Sequence, residues 1–225
     1  MPAALLNPWP RQGQRLRRIL RIIGGVSLNF ASLTGADADR DSGKGDGVRQ
    51  SIVLIGMMGA GKSAVGAELG RRLHVPVRDS DHEIEKAAAM TITEIFARDG
   101  EEFFRARETE VLARLLRMGP AILSTGGGAW MRPENRALIR ASGVSVWLDC
   151  TLETLWHRVR LKPTRPLLRT PDPRGTLEQL LAERAPVYAE ADLRVQVDGR
   201  DSVGQTTDRV LEAIRRHRSE VLEES

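Results

Sequence analysis

Gly56, Gly61, Lys62 and Ser63 carry the spacing G-x-x-x-x-G-K-[ST], the pattern of a backbone cradle for phosphate. They lie in "GMMGAGKSAVG", directly after the apolar run "SIVLI", so the loop joins a strand to a helix. Glycine lets the chain wrap until its N–H groups face phosphate oxygens, and the positive end of the following helix adds to the attraction. The candidates for nucleotide contact are Gly59, Ala60, Gly61, Lys62, Ser63 and Ala64. Lys62 would reach the β and γ phosphates, and Ser63 would ligate Mg2+. A switch, a motor and a kinase share this grip, so the acceptor side must discriminate among them.

Three features address the acceptor. Asp79 and Asp81, in "VRDSD", are two residues apart, so on an extended chain their carboxylates share one side, and at the carboxyl end of a strand that side faces the ligand crevice. One carboxylate near Mg2+ and one near a hydroxyl suit phosphoryl transfer to an alcohol. The competing reading is structural, with Asp81 capping the helix "HEIEKAAAM". In "STGGGAW", Gly126, Gly127 and Gly128 are costly in chain entropy unless something approaches the bare backbone closely, and they read as a platform for the acceptor. Arg105 in "FFRARE" and Arg184 in "ERAPVY" would together suit a carboxylate, because the guanidinium fork matches its geometry. Each alone is more often a solvated surface residue, and spacing does not say whether the two converge.

The elements that must position these residues alternate. Short apolar runs at 51–55, 75–79, 121–124, 144–149 and 193–197 predict five strands of a parallel sheet, separated by helical patterns. Val65, Leu69 and Leu73 share one helical face, as do Phe104, Val111, Leu112 and Leu115. Pro133 starts one helix, and Asp201 or Ser202 caps the last. Arg184 is expected to end its helix just before Pro186. "LKPTRPLLRTPDPRG" has four prolines in fifteen residues and predicts a lid over about 159–173 rather than a regular helix.

Of the 34 Lys/Arg and 30 Asp/Glu in the 225-residue chain, eight and four lie in residues 1–50, so the remainder carries 26 of each and offers no global case for nucleic acid. Those first fifty residues are expected to be a disordered extension; a secretory signal and an interfacial amphipathic helix are the alternatives. The one cysteine, Cys150, rules out an internal disulfide and reads as a buried packing residue. A soluble cytoplasmic monomer with no stable membrane association is expected.

Taken in order and at these intervals, "GMMGAGKSAVG", "DSDHEIE", "FFRARE", "TGGGAW", "RPLL" and "ERAPVY" resemble the motifs of shikimate kinase, a family of the nucleoside-monophosphate-kinase-like P-loop fold, over about residues 51–218. The resemblance implies a three-layer α/β/α P-loop fold with a five-stranded parallel sheet and a mobile lid. It implies phosphoryl transfer from ATP, with Mg2+, to shikimate, in chorismate and aromatic amino-acid biosynthesis. On that basis Asp81 would bind the acceptor hydroxyls and act as base, and Asp79 would hold Mg2+ with Ser63. Arg105 and Arg184 would clamp the carboxylate, oriented by Glu108, with Gly126, Gly127 and Gly128 beneath. Arg165 would close over the phosphates, and Arg158 would stack near adenine beside a loop at 198–202. The catalytic set so implied is Lys62, Asp81 and Arg165. Ala64 stands where many relatives have Thr, and the front extension is outside the pattern. A related kinase acting on gluconate, and a nucleotide-dependent binding module without transfer, remain the competing readings.

Overall fold

The computed structural model of the protein describes residues 47–161 and 166–222. β1 (Ser51–Ile55) leads through the glycine loop into α1 (Lys62–Leu73), and β2 (Val77–Asp79) runs into α2 (Ser80–Ala88), α3 (Ile92–Asp99) and α4 (Glu101–Arg117). Then follow β3 (Ile122–Ser124), α5 (Pro133–Ser142), β4 (Gly143–Cys150), α6 (Leu152–Val159), α7 (Pro173–Tyr188), β5 (Leu193–Val197) and α8 (Val203–His217). The strands form one parallel sheet in the order β2-β3-β1-β4-β5.

That order places the chemistry. The chain leaves β1 toward β2 on one side and later returns to β4 on the other, so the crevice beyond the carboxyl end of β1 lies where the strand order reverses. Right-handed crossovers put α1 on one face of the sheet, where it packs on α8, and α4 and α5 on the opposite face, where they pack on each other. Ile52, Val53, Leu54 and Ile55 are all completely buried, as a central strand covered on both faces must be. The helical stripes read from the sequence are the core faces of α1 and α4, with Val65, Leu69, Leu73, Phe104, Val111, Leu112 and Leu115 buried.

Local details differ from the sequence reading in four places. Asp79, not Asp81, caps α2: its carboxylate accepts from the backbone N–H groups of Asp81 and His82, and Asp81 sits in the first helical turn rather than on extended chain. The two carboxylates therefore part, one held at the helix start and the other projecting from it. α7 continues through Pro186 to Tyr188, so Arg184 lies inside the helix, not at its end. The ring costs one backbone donor near the last turn, where Trp130 Nε1 donates to Val187 O (2.8 Å) and anchors the segment. Pro173 to Gly175, assigned to the proline-rich loop, form the first turn of α7 under an Asp172 cap, because proline suits that position. Val48 is buried and bridges Leu222, so residues assigned to the front extension pack against the end of the chain just before Ser51. Ser202 supplies the cap of α8, through a reciprocal capping box with Gln205. Arg165 and the readings made on residues 1–46 lie outside the described residues. No described helix is long and apolar enough to cross a membrane.

Two glycines test the packing in opposite senses. A Cβ on Gly143 would stand 2.1 Å from the backbone oxygen of Ser51, across the central β1–β4 pair. Gly143→Ala is expected to cost about 1–3 kcal/mol, typical of overpacking a core. In Gly204, inside α8, the nearest atom to a new Cβ is 3.4 Å away, at the tip of the Arg72 side chain. Gly204→Ala should therefore stabilise by up to about 1 kcal/mol through helix propensity. Thermal melts of the two variants, one lower and one higher than the parent, check both.

Candidate active site

The glycine loop is shaped by residues that only glycine adopts readily. Gly56, Gly59 and Gly61 have φ of 134°, 85° and 98°, and a Cβ on Gly59 would stand 2.6 Å from Val159 Cγ1. Gly61 is the N-cap of α1 and no side chain caps it, which leaves the helix start facing the loop's concave side for an anion. Lys62 Nζ donates to the carbonyls of Gly56 (2.8 Å) and Met57 (2.9 Å), so its charge lies across the cradle. Arg158 Nη1 donates to the Gly59 and Ala60 carbonyls at 3.3 and 3.4 Å from the neighbouring helix α6. One turn earlier on α6, Thr154 Oγ1 would stand 2.9 Å from a Cβ on Gly199. The 198–202 loop and Arg158 are thereby brought to one side of the cradle. Ala64 is exposed in the first turn of α1. Beneath the loop, Cys150 Sγ donates to Ala60 O at 3.8 Å, and burial pushes its thiol up to about 11.

Ser63 Oγ donates to Asp79 Oδ2 at 2.9 Å, which joins the end of β2 to the start of α1. Among the described residues no group of three or more His, Cys, Asp or Glu side chains could hold a metal alone. A hydroxyl and one carboxylate, both hard oxygen donors beside a phosphate cradle, fit Mg2+, which keeps several waters and takes phosphate oxygens as ligands.

On the acceptor side, four side chains from three helices meet the bare backbone of Gly126–Gly128. A Cβ on Gly126 would stand 2.6 Å from Asp81 Oδ1 and 2.9 Å from Glu108 Oε1. On Gly128 it would stand 2.5 Å from Arg105 Nη1, and on Gly127, 3.5 Å from Arg184 Nη1 and equally far from Gly56 O. The two arginines converge, and they do so beside the cradle. They open on a cleft of about 800 Å3 that is also lined by Phe96, Phe104, Leu167 and Arg169. A larger groove, about 1130 Å3, is lined instead by Asp149, β5 and α8 residues such as Arg194 and Arg209.

Charge balance holds the clamp in place. Glu108 is completely buried, and Arg105 Nη1 donates to its Oε2 at 2.9 Å. Burial raises the Glu108 pKa, and the positive charges of Arg105, Arg132 and Arg184 only partly offset the rise. For Arg105, burial pulls the pKa down, but Glu108 and Glu101 outweigh it and the net shift is upward. Its guanidinium also lies 5.1 Å from the Phe104 ring centre and 6.0 Å from that of Phe96. Sequence reasoning passed over Tyr188, whose hydroxyl donates to Gly127 O, and over Leu167 and Arg169 at the cleft wall. The signal for Tyr188 was available: it is the chain's one tyrosine and lies four residues, about one helical turn, beyond Arg184.

The family model for shikimate kinase matches residues 58–215. A curated shikimate kinase from Cereibacter sphaeroides is 58% identical over 80% of this chain and 93% of its own, and one from Ruegeria pomeroyi is 57% identical over 78% and 90%. Among solved structures, shikimate kinase from Acinetobacter baumannii in complex with shikimate superposes with a TM-score of 0.73 at 36% identity, covering 75% of this chain and 94% of that one.

The raised thiol makes a direct check on the packing under the cradle. At pH 8 the native protein should resist iodoacetamide at Cys150, with alkylation appearing only on denaturation, as read by intact-protein mass spectrometry.

Proposed function

The chain belongs to the shikimate kinase family, and on that premise we propose that it transfers the γ-phosphate of ATP to the 3-hydroxyl of shikimate, giving ADP and shikimate 3-phosphate. The observation that carries this reading is the convergence of Asp81, Arg105 and Arg184 on Gly126–Gly128, next to the phosphate cradle. A carboxylate ligand gripped by two guanidiniums there would set a ring hydroxyl between Asp81 and the cradle.

In the proposed reaction the N–H groups from Gly59 to Ala64 bind the phosphates, and Lys62 leaves its carbonyl partners for the β and γ oxygens. Asp81 takes the proton of the acceptor hydroxyl, the oxygen bonds to the γ-phosphorus, and the bond to the β–γ bridging oxygen breaks to release ADP. Ser63 and Asp79 would hold Mg2+, which neutralises charge on the phosphates when bound. Arg158 and the 198–202 loop border the adenine. Arg165, outside the described residues, is assigned to the transferring phosphate, and closure of the 159–173 lid excludes water as a competing acceptor. The kinase domain is assigned to about residues 51–220, acting as a cytoplasmic monomer in aromatic amino-acid biosynthesis.

The decisive experiment is ADP release by the purified chain, which should require shikimate and not occur with gluconate; release indifferent to either acid would overturn the proposal. Lys62→Ala should lower kcat by about a hundred- to a thousandfold. Asp81→Asn should lower it by about a hundred- to ten-thousandfold, with the fold intact by circular dichroism. Arg105→Lys keeps a charge beside Glu108 but loses the fork, so KM for shikimate should rise about ten- to a hundredfold with KM for ATP little changed.

A further inference from the structure

Tyr188 closes α7 and is completely buried, and its hydroxyl reaches both the middle of the glycine platform and the phosphate loop. It donates to Gly127 O, lies 3.7 Å from Met57 Sδ in the glycine loop and feels the positive charge of Arg184, four residues earlier on the same helix. Its ring packs 5.9 Å from that of Trp147, whose Cδ1 would in turn stand 3.4 Å from a Cβ on Gly56. A hydroxyl that donates to Gly127 O can still accept, so it leaves a lone pair for the Arg184 guanidinium, whose Nη1 stands 3.5 Å from the Cβ position of Gly127.

We propose that Tyr188 is a positioning residue for the acceptor: its hydroxyl occupies the Gly127 carbonyl and holds the Arg184 fork toward the cleft. This rests on the shikimate kinase reading above. Without the hydroxyl, Gly127 O needs another donor, and Arg184 Nη1, 3.5 Å from the Cβ position of Gly127, is at hand. Arg184 then turns to the backbone and the acceptor loses one of its two guanidiniums. Burial pushes the phenol up to about 12, which keeps it protonated and able to donate throughout the neutral range.

Tyr188→Phe keeps the ring and tests the hydroxyl alone. KM for shikimate should rise about tenfold, as for loss of one charge-assisted hydrogen bond, while KM for ATP stays within about twofold. A structural role alone would lower the melting temperature without that split. A double-mutant cycle with Arg184→Lys adds a second criterion: the Arg184→Lys effect should largely vanish in the Tyr188→Phe background. Unchanged KM for shikimate, parallel rises in both KM values, or additive effects would each overturn the proposal.

A measurement on the unmutated fold covers a variant that does not fold. Biosynthetic 3-fluorotyrosine labels this one site, and its single 19F resonance should shift when shikimate is added to the ADP-bound protein. A shikimate-saturated sample with no shift would contradict the Arg184 to Tyr188 link. Absence of shikimate-dependent ADP release in the parent chain would instead sink the reading of function beneath it.

Discussion

The proposed acceptor site depends on a strip of backbone that carries no side chains. Asp81 and Glu108 press on Gly126, Arg184 on Gly127 and Arg105 on Gly128, at approaches that a single added carbon would block at Gly126 and Gly128. Three glycines cost chain entropy, and the return is that charged ends from α2, α4 and α7 meet within one small space. The cleft takes its polarity from that meeting, and its walls from Phe96 and Phe104.

Close approach alone would leave an unfavourable cluster of charges. Glu108 is a carboxylate without solvent access, and its burial resists ionisation; Arg105, Arg132 and Arg184 around it pull the other way. The arrangement links positions by electrostatics as well as by packing. Arg105 is fixed by Glu108 and Glu101 and rests on aromatic faces, so its fork is held before any ligand arrives. The phosphate side is built differently, from backbone: an uncapped helix start at Gly61, a loop bent by positive φ, and Lys62 lying across the loop's own carbonyls. Ser63 and Asp79 join the two halves, since Asp79 caps α2 with one oxygen and accepts from α1 with the other. Asp81, in the first turn of α2, is therefore indexed to the cradle through the Asp79 cap.

The phosphate cradle was legible in the sequence because its contacts are local: "GMMGAGKS" is both the spacing and the site. The five strands, the buried stripes of α1 and α4 and the parallel sheet were legible for a similar reason, since periodicity records burial residue by residue. Proline was over-read. Pro186 and Pro173 both lie within α7: Pro173 at its first turn, where an N–H has no helical partner to lose, and Pro186 near its last, where the helix continues at the cost of one backbone donor.

What the sequence determined by itself was the chemistry available: a nucleotide grip, candidate acids and two arginines suited to a carboxylate. Only the tertiary structure decided which of these share a site. Arg105, Gly127 and Arg184 belong to separate connections, and their meeting requires the order β2-β3-β1-β4-β5 to bring those connections together beyond the carboxyl ends of the central strands. Likewise, only the fold shows Asp79 turned to cap α2 while Asp81 projects against Gly126. Contacts between distant segments arise from how elements pack, and residue spacing carries no record of that.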